Sequence, residues 1–286
     1  AQGQGILASL LVADGTAADV PAAQAYIATQ TPAQIASYLR GKDGNTLLKV
    51  VLAANLNAAN PIPDGKVVPV DPISALAAGQ GLNVPLMAGT TKEEGKLFAS
   101  LLPSLSLAFK PGWIVDDATR FSMMFNNDPE APPKLSAGDI LDASYLPVTT
   151  PVTGFNAATG LITAALFEAN RDNLLNTLKP RQAQLWHYRF DWAQQPAPWN
   201  DVYGAAHAFD LPFLFGNFGP SVLSSVAFNK ANEPGRVALS KAFMASVGAF
   251  MRTGDPNTAA LGTSWAPWPG SVRLDATPTT LNISAQ

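Results

Sequence analysis

Two turns that contain glycine, and whose Glu94 and His207 lie 113 residues apart in the chain, constrain the fold more than any other feature of this sequence. The first is Gly89-Thr-Thr-Lys-Glu-Glu94-Gly95, and the second is Gly204-Ala-Ala-His207-Ala-Phe-Asp210. The first turn follows a short apolar run that is typical of a buried strand. A lone loop histidine is more often a surface or hydrogen-bonding residue than a proton donor or acceptor in a reaction. The role of the two turns can therefore be interpreted only together with the rest of the sequence.

Strands and helices alternate along the chain, which favours an α/β fold. Strands are predicted at 84–89 and 185–190, with a helix that starts at Glu93 and continues through Phe98 and Leu101. Residues 61–72 are punctuated by prolines and read as an extended loop with room for one short edge strand. Residues 103–155 are predicted to be rich in loops. Further helices are predicted over 20–30, 31–41, 46–56, 161–178 and 233–251.

Composition excludes several classes of function. The net charge is −3, and basic clusters with interleaved aromatic residues are missing, so we expect no nucleic-acid partner. No apolar run is long enough to cross a bilayer, so we expect no membrane span. The chain has no cysteine and two histidines, which argues against disulfides and against a zinc-type metal site. We therefore expect neither a metal nor another cofactor.

Three blocks of this sequence resemble the type B carboxylesterase (cholinesterase-like) family. The second turn, which continues to Gly216, is one of these blocks. A second block comprises segments 61–69 and 84–95 and includes the first turn. The third block comprises segments 250–257 and 265–269, near the end of the sequence. The resemblance implies an α/β-hydrolase fold with a mixed, mostly parallel sheet flanked by helices. It also implies a Ser, acid, His triad in that chain order.

The serine of that triad is missing from this sequence. No Gly-x-Ser-x-Gly motif occurs, and the nearest string, Gly219-Pro-Ser-Val-Leu223, lacks the second glycine. The Gly-Gly oxyanion loop of the family is missing as well. We therefore interpret residues 1–286 as the C-terminal portion of a single α/β-hydrolase domain, completed by an N-terminal portion of the same precursor that carries the serine. Because residue 1 is alanine, we expect this start to result from processing, trimming or cleavage.

The resemblance assigns the acid to Glu94 and the base to His207. Glu93 is the rival acid, but the family has its glycine directly after the catalytic carboxylate, which favours Glu94. The simpler interpretation makes both glutamates first-turn helix acids. Two interpretations of Asp210 stay open: it supports the loop that carries His207, or it caps the N-terminus of a helix. His187, flanked by aromatic residues on a predicted strand, is interpreted as a structural or surface histidine.

Phe121, Met124 and Phe125 could line an acyl or alcohol pocket, although aromatic and methionine clusters are more often plain core. We expect a carboxylic ester hydrolase that acts through an acyl-serine intermediate on a small-molecule or polymeric ester. The alternatives are a non-catalytic, cholinesterase-like scaffold or a stray fragment. We expect a secreted or periplasmic protein, whose signal peptide would lie upstream of Ala1.

Overall fold

The computed structural model describes residues 2–54 and 63–286, and the chain divides at Pro72 into two compact units. Pro61 and Ile62 of the resemblance, and the last two residues of the helix predicted over 46–56, lie outside the described residues. The division falls at the end of the proline-rich segment 61–72. Each unit is described by itself.

Within its described residues, the first unit contains four helices and a small apolar core. Leu7, Ala8, Leu11 and Ala23 are buried, with Ile27 and other side chains packed against them. The helices are α1 (Gln2–Ala13), α2 (Val20–Ala28), α3 (Pro32–Arg40) and α4 (Gly44–Ala53).

The predicted start and end of α3 are confirmed. The Thr31 hydroxyl accepts the backbone N–H of Gln34, and the Gln34 side chain accepts the backbone N–H of Thr31, so two of the free N–H groups at the helix start are bonded. Pro32 occupies the first turn, where its missing N–H costs nothing, and Gly41 follows the last helical residue.

The second unit contains a four-stranded sheet, with helices before β1, between β1 and β2, and between β2 and β3. The strand order is β1-β2-β3-β4, in which β1, β2 and β3 are parallel and β4 is antiparallel to β3. The strands are β1 (Leu86–Thr91), β2 (Leu185–Phe190), β3 (Val272–Leu274) and β4 (Ser284–Ala285). The α-helices are α5 (Pro72–Ala77), α6 (Leu102–Leu105), α7 (Asp117–Phe125), α8 (Phe155–Ile162), α9 (Ala169–Leu178), α10 (Trp199–Val202), α11 (Leu211–Phe215), α12 (Ser224–Ala227) and α13 (Glu233–Thr253).

The two predicted strands exist, and one of them is shifted. The strand predicted over 185–190 is confirmed. The strand predicted over 84–89 begins and ends two residues later, because Pro85 has no N–H to donate and Thr91 still pairs with Phe190. The helix predicted from Glu93 is a 3₁₀ helix, Glu94–Leu101, with a break at Phe98.

The structure differs from the predictions for two further segments. The segment 103–155, predicted to be rich in loops, contains α7, whose start is marked by the Asp116 carboxylate accepting the N–H of Thr119 at 2.7 Å. The helix predicted over 161–178 begins earlier, at Phe155, and contains a π-helical stretch, Thr163–Glu168, between α8 and α9.

The core of the second unit lies where the sheet meets α11 and α13. Phe190, Trp192 and Phe213 are fully buried and contact one another edge-on or tilted, with ring centroids 4.9 Å apart in the Phe190–Phe213 and Trp192–Phe213 pairs. The Ser240 hydroxyl donates to the carbonyl of Phe213 at 2.7 Å and ties α13 to α11. This packing fixes the segment that follows β2.

Gly89 gives the first prediction. It pairs with Tyr188 in the sheet, and a Cβ at Gly89 would overlap the Tyr188 ring. We expect Gly89→Ala to lower the free energy of unfolding by about 1–3 kcal/mol, because overpacking displaces the partly buried Tyr188 ring. Gly160→Ala is the matched control: a Cβ there meets nothing within 4 Å inside helix α8, so alanine should be neutral or stabilising. Urea unfolding measures both, and equal effects would contradict the packing argument.

Candidate active site

The acid turn, residues 89–95, is built by a close approach of its backbone to the backbone of α8. Strand β1 ends at Thr91, and the chain turns into the 3₁₀ helix at Glu94. Gly95 follows, and a Cβ there would overlap the carbonyl oxygen of Thr159 in α8. The Gly95 N–H donates to the hydroxyl of Thr163 at 3.0 Å. The glycine after the acid is therefore required by packing against the 155–163 segment.

The histidine loop, residues 204–210, is shaped by two residues with positive φ. Gly204 has φ +52° and Ala208, directly after the histidine, has φ +67°. A left-handed alanine costs roughly 1–2 kcal/mol, which the surrounding contacts must offset. The side chain of buried Gln195 donates to the carbonyl of Gly204 at 2.6 Å and holds the start of the loop.

These two turns bring Glu94 and His207 together. Nδ1 of His207 lies 2.6 Å from Oε2 of Glu94, and the other carboxylate oxygen accepts the backbone N–H of Thr91 at 2.7 Å. The Glu94 side chain is 6% exposed, whereas that of His207 is 44% exposed. Because an ionised carboxylate can only accept, Nδ1 carries the proton in this contact, and in a neutral imidazole Nε2 is then the nitrogen that accepts. Among residues 2–54 and 63–286, no hydrogen bond reaches Nε2.

Two phenylalanines that the sequence analysis did not identify contact the imidazole. The ring centroids of Phe98 and Phe167 lie 5.2 and 5.3 Å from that of His207. Phe98 follows Glu94 by four residues, a spacing that could have revealed it. Phe167 belongs to the π-helical stretch 163–168, and such stretches are frequent at functional sites. No sequence signal marks a π-helix here.

Glu93 does not face the imidazole. Its carboxylate accepts the backbone N–H of Ala205 at 2.9 Å and lies 2.8 Å from Nζ of Lys96. The prediction that Glu94 rather than Glu93 points to the histidine agrees with this geometry, but Glu93 is more than a first-turn helix acid. Its contacts fall on the histidine loop.

Asp210 makes no hydrogen bond to His207 within the described residues and accepts the Tyr188 hydroxyl at 2.9 Å. Burial raises the pKa of this carboxyl above its usual value, although the Tyr188 hydrogen bond acts in the opposite direction. The same burial raises the pKa of the Tyr188 hydroxyl. Asp210 occupies the N-cap position of α11, but its side chain makes no capping hydrogen bond to the first turn of that helix. It ties the histidine loop to β2.

The three predicted pocket residues differ in burial. Met124 is buried in the core, where its sulfur accepts the hydroxyl of Tyr203 at 3.3 Å. Phe121 and Phe125 of α7 are exposed. None of the three has a described contact with His207. A pocket role for them stays a prediction.

His187 is a buried structural histidine. Its Nε2 lies 3.0 Å from a guanidinium nitrogen of Arg171 and 3.2 Å from the Thr90 hydroxyl, and the Trp268 ring stands edge-on at 5.9 Å. Burial, with the nearby charges of Arg171 and Arg189, lowers the pKa of His187 to about 3. The imidazole is therefore neutral and accepts from Arg171.

Residues 2–54 and 63–286 contain no group of three or more His, Asp or Glu side chains that could hold a metal ion. Over the same ranges, no helix has the length and apolar character needed to cross a membrane.

Comparisons with known proteins agree with the sequence blocks. The sequence profile of the Carboxylesterase family matches residues 11–285. The para-nitrobenzyl esterase of Bacillus subtilis (strain 168) is 27% identical over 213 residues, which are 73% of this chain and 36% of that protein.

Solved structures share the fold. Geobacillus stearothermophilus carboxylesterase EST55 at pH 6.2 superimposes with a TM-score of 0.57 at 21% identity, covering 87% of this chain and 48% of that one. Aspergillus niger EstA gives a TM-score of 0.53 at 18% identity, covering 88% and 48%. The predicted α/β-hydrolase fold is confirmed. The chain spans about half the length of these structures and 36% of the curated relative.

The buried His187 gives a prediction about pH. Between pH 6.5, the usual pKa of the group, and about 3, the unfolded chain binds a proton that the folded chain excludes. Stability is therefore complete above pH 6.5 and falls as the pH is lowered, by at most about 1.4 kcal/mol per pH unit from this group. We expect His187→Gln to be destabilised at pH 7 and to lose less further stability than the parent down to pH 4. Parallel curves in urea unfolding would contradict this.

Proposed function

Because the chain belongs to the carboxylesterase family, we propose that Glu94 and His207 are the acid and the base of a serine esterase. The observation that carries the proposal is the 2.6 Å hydrogen bond between a buried carboxylate and an imidazole whose far nitrogen is unbonded within the described residues. A non-catalytic scaffold would have no need to keep this pair with one nitrogen free and exposed.

The proposed chemistry follows from the tautomer. Nε2 of His207 takes the proton of a serine hydroxyl while the serine oxygen attacks the ester carbonyl carbon, which forms a tetrahedral intermediate. The intermediate collapses to the acyl-serine, and His207 returns the proton to the departing alcohol. Water then releases the acid by the same steps. Glu94 holds the tautomer and stabilises the imidazolium, and its second oxygen is fixed by Thr91.

The serine is proposed to come from an N-terminal portion of the same precursor, because β1 has an open edge. The N–H groups of Leu86 and Lys92 donate to carbonyls of Gln184 and Phe190 on the β2 side. Those of Met87 and Gly89, which alternate with them, point to the other side, where no strand of the described chain pairs. Such an edge needs a partner strand or a cover.

Two further observations support a missing portion. The chain corresponds to about half of the solved carboxylesterases that it matches. Large apolar side chains also stand open to solvent in the second unit, among them Leu107, Val152 and Leu161. Val152 and Leu161 line one open groove, and exposed apolar surface of this kind is typical of a face that another segment covers.

The triad assignment predicts the effect of two substitutions in the complete esterase. His207→Ala should lower kcat for para-nitrophenyl acetate by about 10³-fold or more, since the general base is removed. Glu94→Gln should lower kcat by roughly 10²–10⁴-fold, because an amide does not stabilise the imidazolium. Glu233→Gln makes the same chemical change at an exposed position at the start of α13 and should leave kcat unaltered. Activity retained in His207→Ala would refute the assignment.

The position of the serine gives a separate prediction. A fluorophosphonate probe should label the native protein on a serine outside residues 1–286, within Gly-x-Ser-x-Gly. Intact mass and peptide mapping should find that segment joined to this chain or tightly associated with it. A stable, monodisperse preparation of residues 1–286 alone that hydrolyses esters and takes up the probe would contradict the proposal.

A further inference from the structure

The acid turn and the histidine loop are joined a second time, beside the Glu94–His207 contact. Glu93 donates its backbone N–H to the carbonyl of Ala205 at 2.9 Å, and its carboxylate accepts the N–H of Ala205 at 2.9 Å. Glu93 directly precedes the proposed acid, and Ala205 lies two residues before the proposed base. Both hydrogen-bonding groups of Ala205 are therefore bonded to one residue of the acid turn.

Lys96 holds the Glu93 carboxylate in place. Its Nζ lies 2.8 Å from Oε1 of Glu93, while Oε2 is the atom that binds Ala205. The Lys96 side chain is 1% exposed, although lysine is almost never fully buried without a partner. Each carboxylate oxygen therefore has its own partner, one cationic and one on the histidine loop.

The loop is built to approach this pair closely. A Cβ on Gly204 would overlap the Glu93 carboxylate and lie 3.1 Å from Nζ of Lys96, and the φ of +52° also favours glycine. The charged pair thus lies directly against the loop backbone. Any larger residue at position 204 would push the loop backbone away from the Glu93–Lys96 pair.

We propose that Glu93 and Lys96 are a positioning pair that sets the location of His207, an inference that rests on the proposed role of His207 as the base. The His207 side chain is 44% exposed, so burial alone does not fix it. Charge-assisted hydrogen bonds are short and directional, and a displacement of about 1 Å in a catalytic group can cost roughly 10²-fold in rate. The pair anchors the backbone from which the imidazole projects.

A role in positioning can be separated from a role in stability. Replacing both members of a buried ion pair by neutral groups of similar volume is often neutral for stability or even stabilising, whereas removing one member leaves a buried charge. The informative variant is therefore Glu93→Gln with Lys96→Met. Glu93→Gln alone keeps the side-chain shape and serves as a second variant. Lys92→Met, at an exposed lysine of the same turn, is the matched control.

The experiment measures kcat and KM for para-nitrophenyl acetate and the Tm of the complete esterase. It also follows, by NMR, the low-field resonance of the Nδ1 proton that His207 shares with Glu94. We expect the double variant to lose about 10- to 100-fold in kcat with KM within about 2-fold. Its Tm should stay within about 4 °C of the parent, and the Nδ1 proton signal should shift or broaden. Glu93→Gln alone should change kcat in the same direction, and Lys92→Met should match the parent.

Two results would overturn the inference, and they differ from failure of the triad assignment. A folded double variant with parental kcat and an unshifted Nδ1 resonance would leave Glu93 and Lys96 without a positioning role. A fall in Tm with kcat unchanged well below that temperature would make the pair merely structural. In both cases His207→Ala would still be inactive. Activity in His207→Ala would instead refute the proposed function itself.

Discussion

The burial of the Glu94 carboxylate is the constraint on which the site depends. An ionised carboxylate removed from water needs a donor for each oxygen, and here one donor is the N–H of Thr91 and the other is Nδ1 of His207. The first donor is the last residue of β1, and the second lies 113 residues after Glu94 in the chain. The contact can exist only if the loop after β2 returns to the end of β1, so it requires the parallel pairing of these two strands.

Small residues make this return possible. Gly95 lets the acid turn rest on the 155–163 segment, and Gly204 lets the histidine loop rest on the Glu93 carboxylate. Ala205 and Ala206 are completely buried beside it. Where the backbones come this close, polar groups of one turn can bond those of the other. The Glu93 contacts with Ala205 are a consequence of this packing.

The edge of β1 that faces away from β2 lies next to the proposed acid. Glu94 follows the outermost strand of the sheet, and the N–H of Thr91, which points away from β2, is bonded by the Glu94 side chain instead of by a strand. The proposed acid thus lies where the open edge of β1 ends. A strand added along that edge would pair with β1 beside the turn that carries Glu94. This geometry supports the proposed source of the serine.

The sequence by itself determined the α/β class, the strand at 185–190 and the start and end of α3, which rest on local patterns of alternation and capping residues. The preference for Glu94 over Glu93 came instead from the resemblance, through the glycine that follows the acid, and it agrees with the contact between Glu94 and His207. Only the tertiary structure revealed Phe98 and Phe167 around His207, the π-helical stretch 163–168 and the bond from Asp210 to Tyr188. It also separated Met124 from Phe121 and Phe125 and gave Glu93 its partners Ala205 and Lys96. Such contacts join residues distant in the chain, and the packing of backbones, which no local pattern encodes, decides which of them meet.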